Sequence, residues 1–227
     1  MTSRGETQFR TLPRFAARLY ATLTRTRSLQ RQYQDIAALC TRRVQSGRLL
    51  DVGTGPGWLL PEVHRQAPEL QLYGLDISPA MIDLARQHLR GVTRELKVAE
   101  VGATGYEDGF FDAVICSGSF YLWDRPEEGL EEIHRILRPG GRAQLFETDR
   151  DYDRKAYQAA LRANLKQEGL AMRLFGPLLL GKALPMAYRA EEVEAIVRRT
   201  SFAGHCRIEK VTLAGLPIWM HIQLTRQ

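Results

Sequence analysis

Residues 49–57, with the sequence LLDVGTGPG, constrain the fold of this chain more than any other segment. A short apolar run ends in an acidic residue, and glycine then occupies every second position. Because glycine has no side chain, such a loop turns tightly and leaves its backbone open to a ligand. The pattern predicts a buried parallel strand that turns into a helix, with a ligand site at the turn.

A second candidate strand also ends in a carboxylate. Leu72-Tyr73-Gly74-Leu75-Asp76 follows the first strand by about twenty residues, the separation expected for one strand–helix–strand unit. A carboxylate at this strand end can accept two hydrogen bonds from a ribose diol. The two segments together predict a nucleoside-binding half-fold.

Apolar runs and amphipathic segments alternate along the chain, which predicts a parallel sheet with helices on both faces. After this core, a short helix at 191–199 precedes two strands, 205–213 and 217–225, that read as a hairpin. The core strands are expected at 48–52, 70–75, 95–99, 112–116 and 142–147. The helices are expected at 13–23, 28–45, 57–66, 79–90 and 126–137.

Composition favours a cytoplasmic globular protein. The chain has 227 residues, 44% of them hydrophobic and 26% charged, and no apolar window of the length that crosses a membrane. Its first residues lack the apolar core of a signal peptide. Cys40, Cys116 and Cys206 lie far apart, which argues against a disulfide framework and a clustered metal site.

Positive charge is concentrated at the start of the chain. Residues 1–48 contain ten arginines against Glu6 and Asp35, and the net charge of the chain is +6. Such an arm can meet nucleic acid, an anionic membrane surface or an acidic substrate. Few aromatic residues lie between the arginines for base stacking, so a solvated helix face is the favoured interpretation.

The glycine spacing separates the possible nucleotides. A dinucleotide fingerprint needs a third glycine where this chain has Trp58, and no Gly-Lys-Ser/Thr of a phosphate-binding loop follows. A ligand with a ribose but no phosphates, such as S-adenosylmethionine, fits this loop better.

Four segments in order resemble the motifs of class I S-adenosylmethionine-dependent methyltransferases, in particular the type 11 group that includes the quinone-biosynthesis C-methyltransferases. They are residues 49–57, 73–81, 111–117 and 134–141. The resemblance implies a Rossmann-like α/β fold with a seven-stranded, mostly parallel sheet, an antiparallel last strand, an N-terminal helical arm and a helical lid. We expect a single domain made of an arm (1–46), a cofactor-binding core (47–150), a substrate lid (151–188) and a C-terminal helix and hairpin (189–227).

The resemblance also implies a set of cofactor-binding residues. Gly53, Thr54, Gly55 and Gly57 would form the loop under the methionine part, and Asp51 would lie near its ammonium group. Further positions would bind the nucleoside. Asp76 would bind the ribose, Ile77 and Met81 would enclose the adenine, Glu100 and Val101 would bind its edge, and Cys116 and Ser117 would line the floor near the sulfonium.

The acceptor side is predicted from the ends of the fourth and fifth core strands. Tyr121 and Glu147 are the candidates for substrate contact and for a catalytic base, although Glu147 can equally be a structural carboxylate bound to backbone amides. Tyr20, Trp123 and Phe175 are further candidates for substrate contact. His64, His88, His134, His205 and His221 fall on flanking helices or late strands and are expected to be structural.

These features predict methyl transfer to a small, partly apolar molecule, in which the protein mainly aligns the reactants and excludes water. One alternative is an RNA methyltransferase that uses the basic arm. The chain has Ser117-Gly118-Ser119-Phe120 in place of the Asn/Asp-Pro-Pro-Tyr/Phe signature of base amino methylation, so nucleic acid is the less favoured partner. The other alternative is a protein that binds S-adenosylmethionine without catalysis.

Overall fold

The structure, a computed structural model, describes residue 10 and residues 12–166 and 186–227. Its seven strands are β1 (Gly47–Val52), β2 (Leu70–Asp76), β3 (Thr93–Val98), β4 (Phe111–Ser117), β5 (Leu137–Thr148), β6 (Cys206–Leu213) and β7 (Leu216–Thr225). They form one sheet in the order β3-β2-β1-β4-β5-β7-β6. Strands β1 to β5 are parallel, and β7 is antiparallel to both of its neighbours, as the resemblance implied.

Helices cover both faces of this sheet. They are α1 (Arg14–Leu23), α2 (Arg27–Thr41), α3 (Leu60–Gln66), α4 (Pro79–His88), α5 (Pro126–Ile136), α6 (Arg154–Leu165) and α7 (Ala190–Val197). Successive residues of a strand point to opposite faces. Accordingly, Leu49 packs with Ile36 of α2 and Val63 of α3, whereas Leu50 packs with Ile133 of α5. The sheet is therefore the middle layer of a three-layer domain.

The strand order reverses between β1 and β4, which lie side by side at the middle of the sheet. From β1 the chain moves outward to β2 and β3, and from β4 it moves outward to β5 on the other side. The two sets of connections leave in opposite directions, so a crevice opens at the carboxyl ends of these two strands. The topology thus places the glycine loop after β1 opposite the turn after β4.

Three boundaries differ from the expected ones by three residues or more, and two of these differences have an identifiable reason. Helix α3 begins at Leu60 rather than at 57, because Gly57 has a φ of +84° that no helix accommodates. Helix α2 ends at Thr41 rather than at 45. Strand β5 begins at Leu137 rather than at 142, because Leu137 already pairs with Phe111 ahead of an irregular stretch.

The expected lid lies only partly within the described residues. Helix α6 forms its first part, and the Asp153 side chain caps that helix by accepting hydrogen bonds from the backbone N–H groups of Lys155 and Ala156. Residues 167–185, which include the predicted substrate residue Phe175, lie outside the described part of the chain. Within the described part, no helix has the length and apolar character needed to cross a bilayer.

A buried carboxylate joins β5 to the turn after β4. Glu147 is 1% exposed, and its Oε1 accepts a hydrogen bond of 2.7 Å from the backbone N–H of Phe120. The backbone N–H groups of Ser119 and Gly118 also donate to this carboxylate. Burial raises the pKa of Glu147 to about 8, against the opposing effect of these three donors.

This environment predicts how stability changes with pH. The pKa of Glu147 is higher in the folded protein than in the unfolded chain, so the folded state holds the proton more tightly. The stabilisation that protonated Glu147 contributes to the free energy of unfolding is complete below about pH 4.5. It is lost as the pH rises towards 8, by at most about 1.4 kcal/mol per pH unit. Glu147→Gln should remove this portion of the pH dependence in chemical denaturation measured from pH 5 to 9. Profiles of equal slope for the two proteins would contradict this assignment.

Candidate nucleoside-binding site

A cavity opens at the carboxyl ends of β1, β2 and β4. The cavity and its mouth span about 910 Å³ of space free of protein atoms, part of it open to solvent. Its lining consists of Tyr20, Tyr33, Val52, Gly53, Thr54, Gly55, Pro56, Leu75, Asp76, Ile77, Met81, Ala99, Val101, Ser117, Gly118, Ser119, Tyr121, Leu122 and Trp123.

The loop after β1 is held by the neighbouring strand. The backbone N–H groups of Gly53 and Thr54 both donate to the carbonyl oxygen of Leu75, each at 2.9 Å. A Cβ added at Gly53 would lie 2.3 Å from Ser119 Oγ, whereas one added at Gly55 would meet no atom within 4 Å. Gly53 therefore permits close approach of the two turns, and Gly55 presents bare backbone to the open cavity.

Asp76 lies at the end of β2 and fixes both this loop and the start of the next helix. Its Oδ2 accepts a hydrogen bond of 2.8 Å from Gly55 N–H, and its Oδ1 accepts one of 2.8 Å from Ser78 N–H. Burial raises the pKa of Asp76, and the two N–H donors oppose that shift. A carboxylate has about four lone-pair sites, so two remain for the hydroxyls of a sugar.

Asp51 provides a second carboxylate beneath the loop. It is 2% exposed, and its Oδ2 accepts a hydrogen bond of 2.8 Å from Thr54 Oγ1. Burial raises the pKa of Asp51 to about 7; the Thr54 hydroxyl opposes this shift, and the charge of Asp76 adds to it. Within the described ranges, neither Asp51 nor Asp76 has an ion-pair partner. The site therefore has an unbalanced negative charge that a cationic ligand would satisfy.

Four residues were predicted to surround the adenine, and three of them line the cavity. Ile77, Met81 and Val101 line the cavity. Glu100 does not line it; this side chain instead forms an ion pair with Arg10 at 2.8 Å and a longer one with Arg125 at 3.8 Å. Glu100 is thus engaged at the protein surface rather than aimed at the cavity.

Four other predicted residues are also outside the cavity lining, and one of them is Asp51, which lies beneath the loop. Gly57 faces helix α4, because a Cβ there would lie 2.7 Å from Leu89 Cδ1. Cys116 is fully buried, with its Sγ 3.0 Å from Ser119 Oγ, and burial raises the pKa of its thiol. Glu147 lies beneath the backbone of the turn after β4, which corresponds to the structural alternative foreseen for it. Ser117, by contrast, does line the cavity.

Four aromatic side chains also line the cavity. Tyr20 of α1, Tyr121 and Trp123 were predicted there, and Tyr33 of α2 was not. Burial raises the pKa of Tyr20, Tyr33 and Tyr121, and the charge of Glu147 raises that of Tyr121 further. These phenols therefore keep their protons at neutral pH and act as hydrogen-bonding groups rather than as bases.

The sequence did contain part of the signal for Tyr33. Tyr33 lies within the helix expected at 28–45, but that pattern could not show that its side chain would line the cavity.

Trp58 lies outside the cavity lining. The indole precedes α3 and stacks on His88 with ring centroids 4.2 Å apart, while its Nε1 donates to Thr24 Oγ1. Gly57 directs the chain outward at this point, so the indole lies over α4 and the arm instead.

No histidine lines the cavity in the described part of the chain. His221 stacks on Phe146 and forms a hydrogen bond of 2.9 Å with Gln144 Oε1, and burial lowers its pKa to about 4. The described residues also contain no group of three histidine, cysteine or acidic side chains that could hold a metal ion.

Comparison with known proteins agrees with this geometry. A family model described as a methyltransferase domain matches residues 50–145, which include the end of β1, all of β2 and β4, and the loops that follow these strands. The demethylmenaquinone methyltransferase of Deinococcus radiodurans is 39% identical over 102 residues, which are 44% of this chain and 42% of that relative. The similarity therefore covers the core of the fold and less than half of the relative.

Solved structures extend the similarity of fold to almost the whole chain. A SAM-dependent methyltransferase from Aquifex aeolicus superposes with a TM-score of 0.61 at 18% identity, covering 86% of this chain and 92% of its own. The plantazolicin methyltransferase BpumL, solved in complex with SAH, gives a TM-score of 0.69 at 14% identity and covers 99% and 95%. Residues 50–145 are thus similar to a methyltransferase domain, and almost the whole chain shares the fold of solved S-adenosylmethionine-dependent methyltransferases.

Proposed function

We propose that this chain transfers the methyl group of S-adenosylmethionine to a small, partly apolar acceptor. The observation that carries the proposal is the pairing of a bare glycine loop with two buried carboxylates that have no ion-pair partner among the described residues. Both features lie at the point where the strand order reverses. A nucleoside with positive charge and no phosphates matches this combination.

The cofactor supplies an activated methyl group on a sulfonium, and the chain has groups suited to each of its parts. Asp76 has free lone pairs for the ribose hydroxyls, and Asp51 offers negative charge for the ammonium group. Ile77, Met81 and Val101 provide an apolar enclosure for the adenine ring. The bare backbone at Gly55 lets the ligand approach closely.

The residues expected near the methyl acceptor favour catalysis by alignment of the two reactants. Tyr121 keeps its proton at neutral pH and can donate a hydrogen bond to an acceptor oxygen. Glu147 is engaged by three backbone donors and holds the turn that carries Tyr121 in place. The chain therefore positions the acceptor and excludes water, and the acceptor provides its own nucleophile, as an electron-rich ring or an ionised hydroxyl does.

An aromatic acceptor of the quinol type fits this wall best. The cavity lining includes Tyr20, Tyr33, Tyr121 and Trp123, and aromatic faces pack favourably on a flat ring. The D. radiodurans relative is named for demethylmenaquinone, whose reduced form is such a ring. That relative shares only part of its length with this chain, so its substrate enters here as support for the proposal.

The direct test is turnover with methyl-labelled S-adenosylmethionine. Purified protein is incubated with a demethylated naphthoquinol, with a bulk RNA preparation, or with no acceptor. The proposal expects label in the quinol product and stoichiometric S-adenosylhomocysteine. Label in RNA alone would support the RNA alternative, and binding of the cofactor without transfer to either acceptor would support a non-catalytic role.

Removal of the Asp76 carboxylate should weaken cofactor binding. Asp76→Ala removes two acceptor positions for the ribose and also the anchor of Gly55 N–H, so we expect a loss of about 1–3 kcal/mol, or roughly 5- to 150-fold in Kd. Calorimetry with S-adenosylhomocysteine measures this change. Asp108→Ala, at an exposed aspartate outside the cavity, is the matched control and should bind like the wild type. Equal affinity for both variants would remove Asp76 from the site.

Binding should also release protons, because the free protein holds Asp51 partly protonated near pH 7. A cationic ligand favours the ionised carboxylate, so affinity should increase as the pH rises from about 5.5 to 7.5. Calorimetry in buffers of different ionisation enthalpy should detect a fraction of a proton released per S-adenosylmethionine bound at pH 7. Asp51→Asn should abolish that release; an unchanged release in this variant would show that another group titrates.

A further inference from the structure

Helix α1 presents an apolar stripe to solvent. Phe15, Leu19 and Leu23 are spaced by four residues and therefore lie along one side of the helix. Their exposed fractions are 75%, 58% and 37%, which make them three of the six exposed large apolar residues described. Isolated exposed leucines are ordinary, but a continuous stripe on one short helix indicates an interaction surface.

The opposite side of α1 is fixed to the protein. Ala17 and Ala21 are buried, and Ala17 packs against Ala80 and Met81 of α4. Arg14 adds an ion pair with Asp83 of α4 at 3.0 Å. The stripe therefore points outward because the other side of the helix is already packed, and no described residue covers it.

Positive charge borders this stripe. Residues 10–27 contain five arginines and no acidic residue. At 100° per residue, Arg14 and Arg18 lie along one border of the stripe, and Tyr20 lies along the other. Asp83 and Glu100 balance Arg14 and Arg10, whereas Arg18 has no ion-pair partner within the described ranges. Apolar residues bordered by arginines are typical of helices that lie in the headgroup region of anionic bilayers.

We propose that α1 docks this chain on the surface of an anionic lipid bilayer, with Phe15, Leu19 and Leu23 inserted at the interface. Tyr20 of the same helix lines the cavity, so docking brings the cavity entrance next to the membrane. A lipophilic acceptor dissolved in the bilayer would then reach the aromatic wall over a short distance. Membrane binding itself needs neither cofactor nor acceptor, so it stands apart from the proposed methyl transfer.

The charges favour a bilayer over the other possible occupants of this surface. A second copy of the chain, packed stripe against stripe, would bring two sets of arginines together without acidic partners. Nucleic acid would satisfy the arginines but would gain little from Leu19 and Leu23, which cannot stack on bases as aromatic residues do. An anionic bilayer satisfies both the charge and the apolar side chains.

The test is flotation with vesicles of phosphatidylcholine alone or of phosphatidylcholine and phosphatidylglycerol at a 7:3 ratio. We expect the wild-type protein to float with the anionic vesicles at about 0.1 M salt and to be released progressively as salt increases. Phe15→Ser/Leu19→Ser should reduce the bound fraction at least about tenfold through loss of apolar insertion. Arg18→Glu should weaken binding to anionic vesicles in particular.

Val98→Ser is the matched control, because Val98 is 44% exposed on strand β3 and lies outside the stripe. It should float like the wild type. Unchanged affinity for S-adenosylhomocysteine in every variant shows that the fold is intact, and it keeps this test separate from that of methyl transfer. The proposal is overturned if the wild type does not bind anionic vesicles, if the double variant binds equally well, or if sedimentation velocity shows a dimer that Leu19→Ser dissociates.

Discussion

The hydrogen bonds between the loop after β1 and the end of β2 determine the geometry of the candidate site. Leu75 accepts two backbone N–H groups from this loop, and Asp76 accepts a third from Gly55. The loop can bend this sharply because Gly53 and Gly55 adopt φ values of +72° and +55°. The same bonds therefore close the loop, aim the Asp76 carboxylate and leave the Gly55 backbone open to a ligand.

The buried carboxylates at this edge of the sheet are of two kinds: two belong to the cavity, and one holds a turn in place. Asp51 and Asp76 lie at or beneath the cavity surface, and their negative charge has no cationic partner among the described residues. Glu147 instead receives the backbone N–H groups of the turn after β4 and so holds that turn in place. Burial raises the pKa of Asp51 and Asp76, so their ionised forms carry an electrostatic cost in the free protein that a cationic cofactor would relieve.

Much of the fold could be predicted from the sequence, because it follows from local patterns. The apolar runs that become β1, β2 and β4, and the glycine and aspartate residues that end the first two, follow rules that act within a few residues. The position of a helix relative to the sheet is not encoded in this way. Tyr33 lay on a correctly predicted helix, yet nothing local indicated that it would line the cavity.

Glu100 and Trp58 also make contacts that local sequence patterns could not predict. The ion pair of Glu100 joins it to Arg10, ninety positions away in the chain, so the outward direction of its side chain could not be read from the strand end alone. The position of the Trp58 indole follows from Gly57, because the left-handed backbone of that glycine ends the loop and cannot begin a helix. The positions of Gly53, Gly55 and Asp76 therefore follow from local patterns, whereas the ion pair of Glu100 and the stacking of Trp58 depend on segments distant in the sequence.

The most direct test of the account is a crystal structure of the protein with S-adenosylhomocysteine. We expect the ribose hydroxyls within hydrogen-bonding distance of Asp76, the adenine between Ile77 and Val101, and the homocysteine part over Gly55. Binding of the ligand at a different surface, or occupation of this cavity by a dinucleotide in preference to it, would contradict the account.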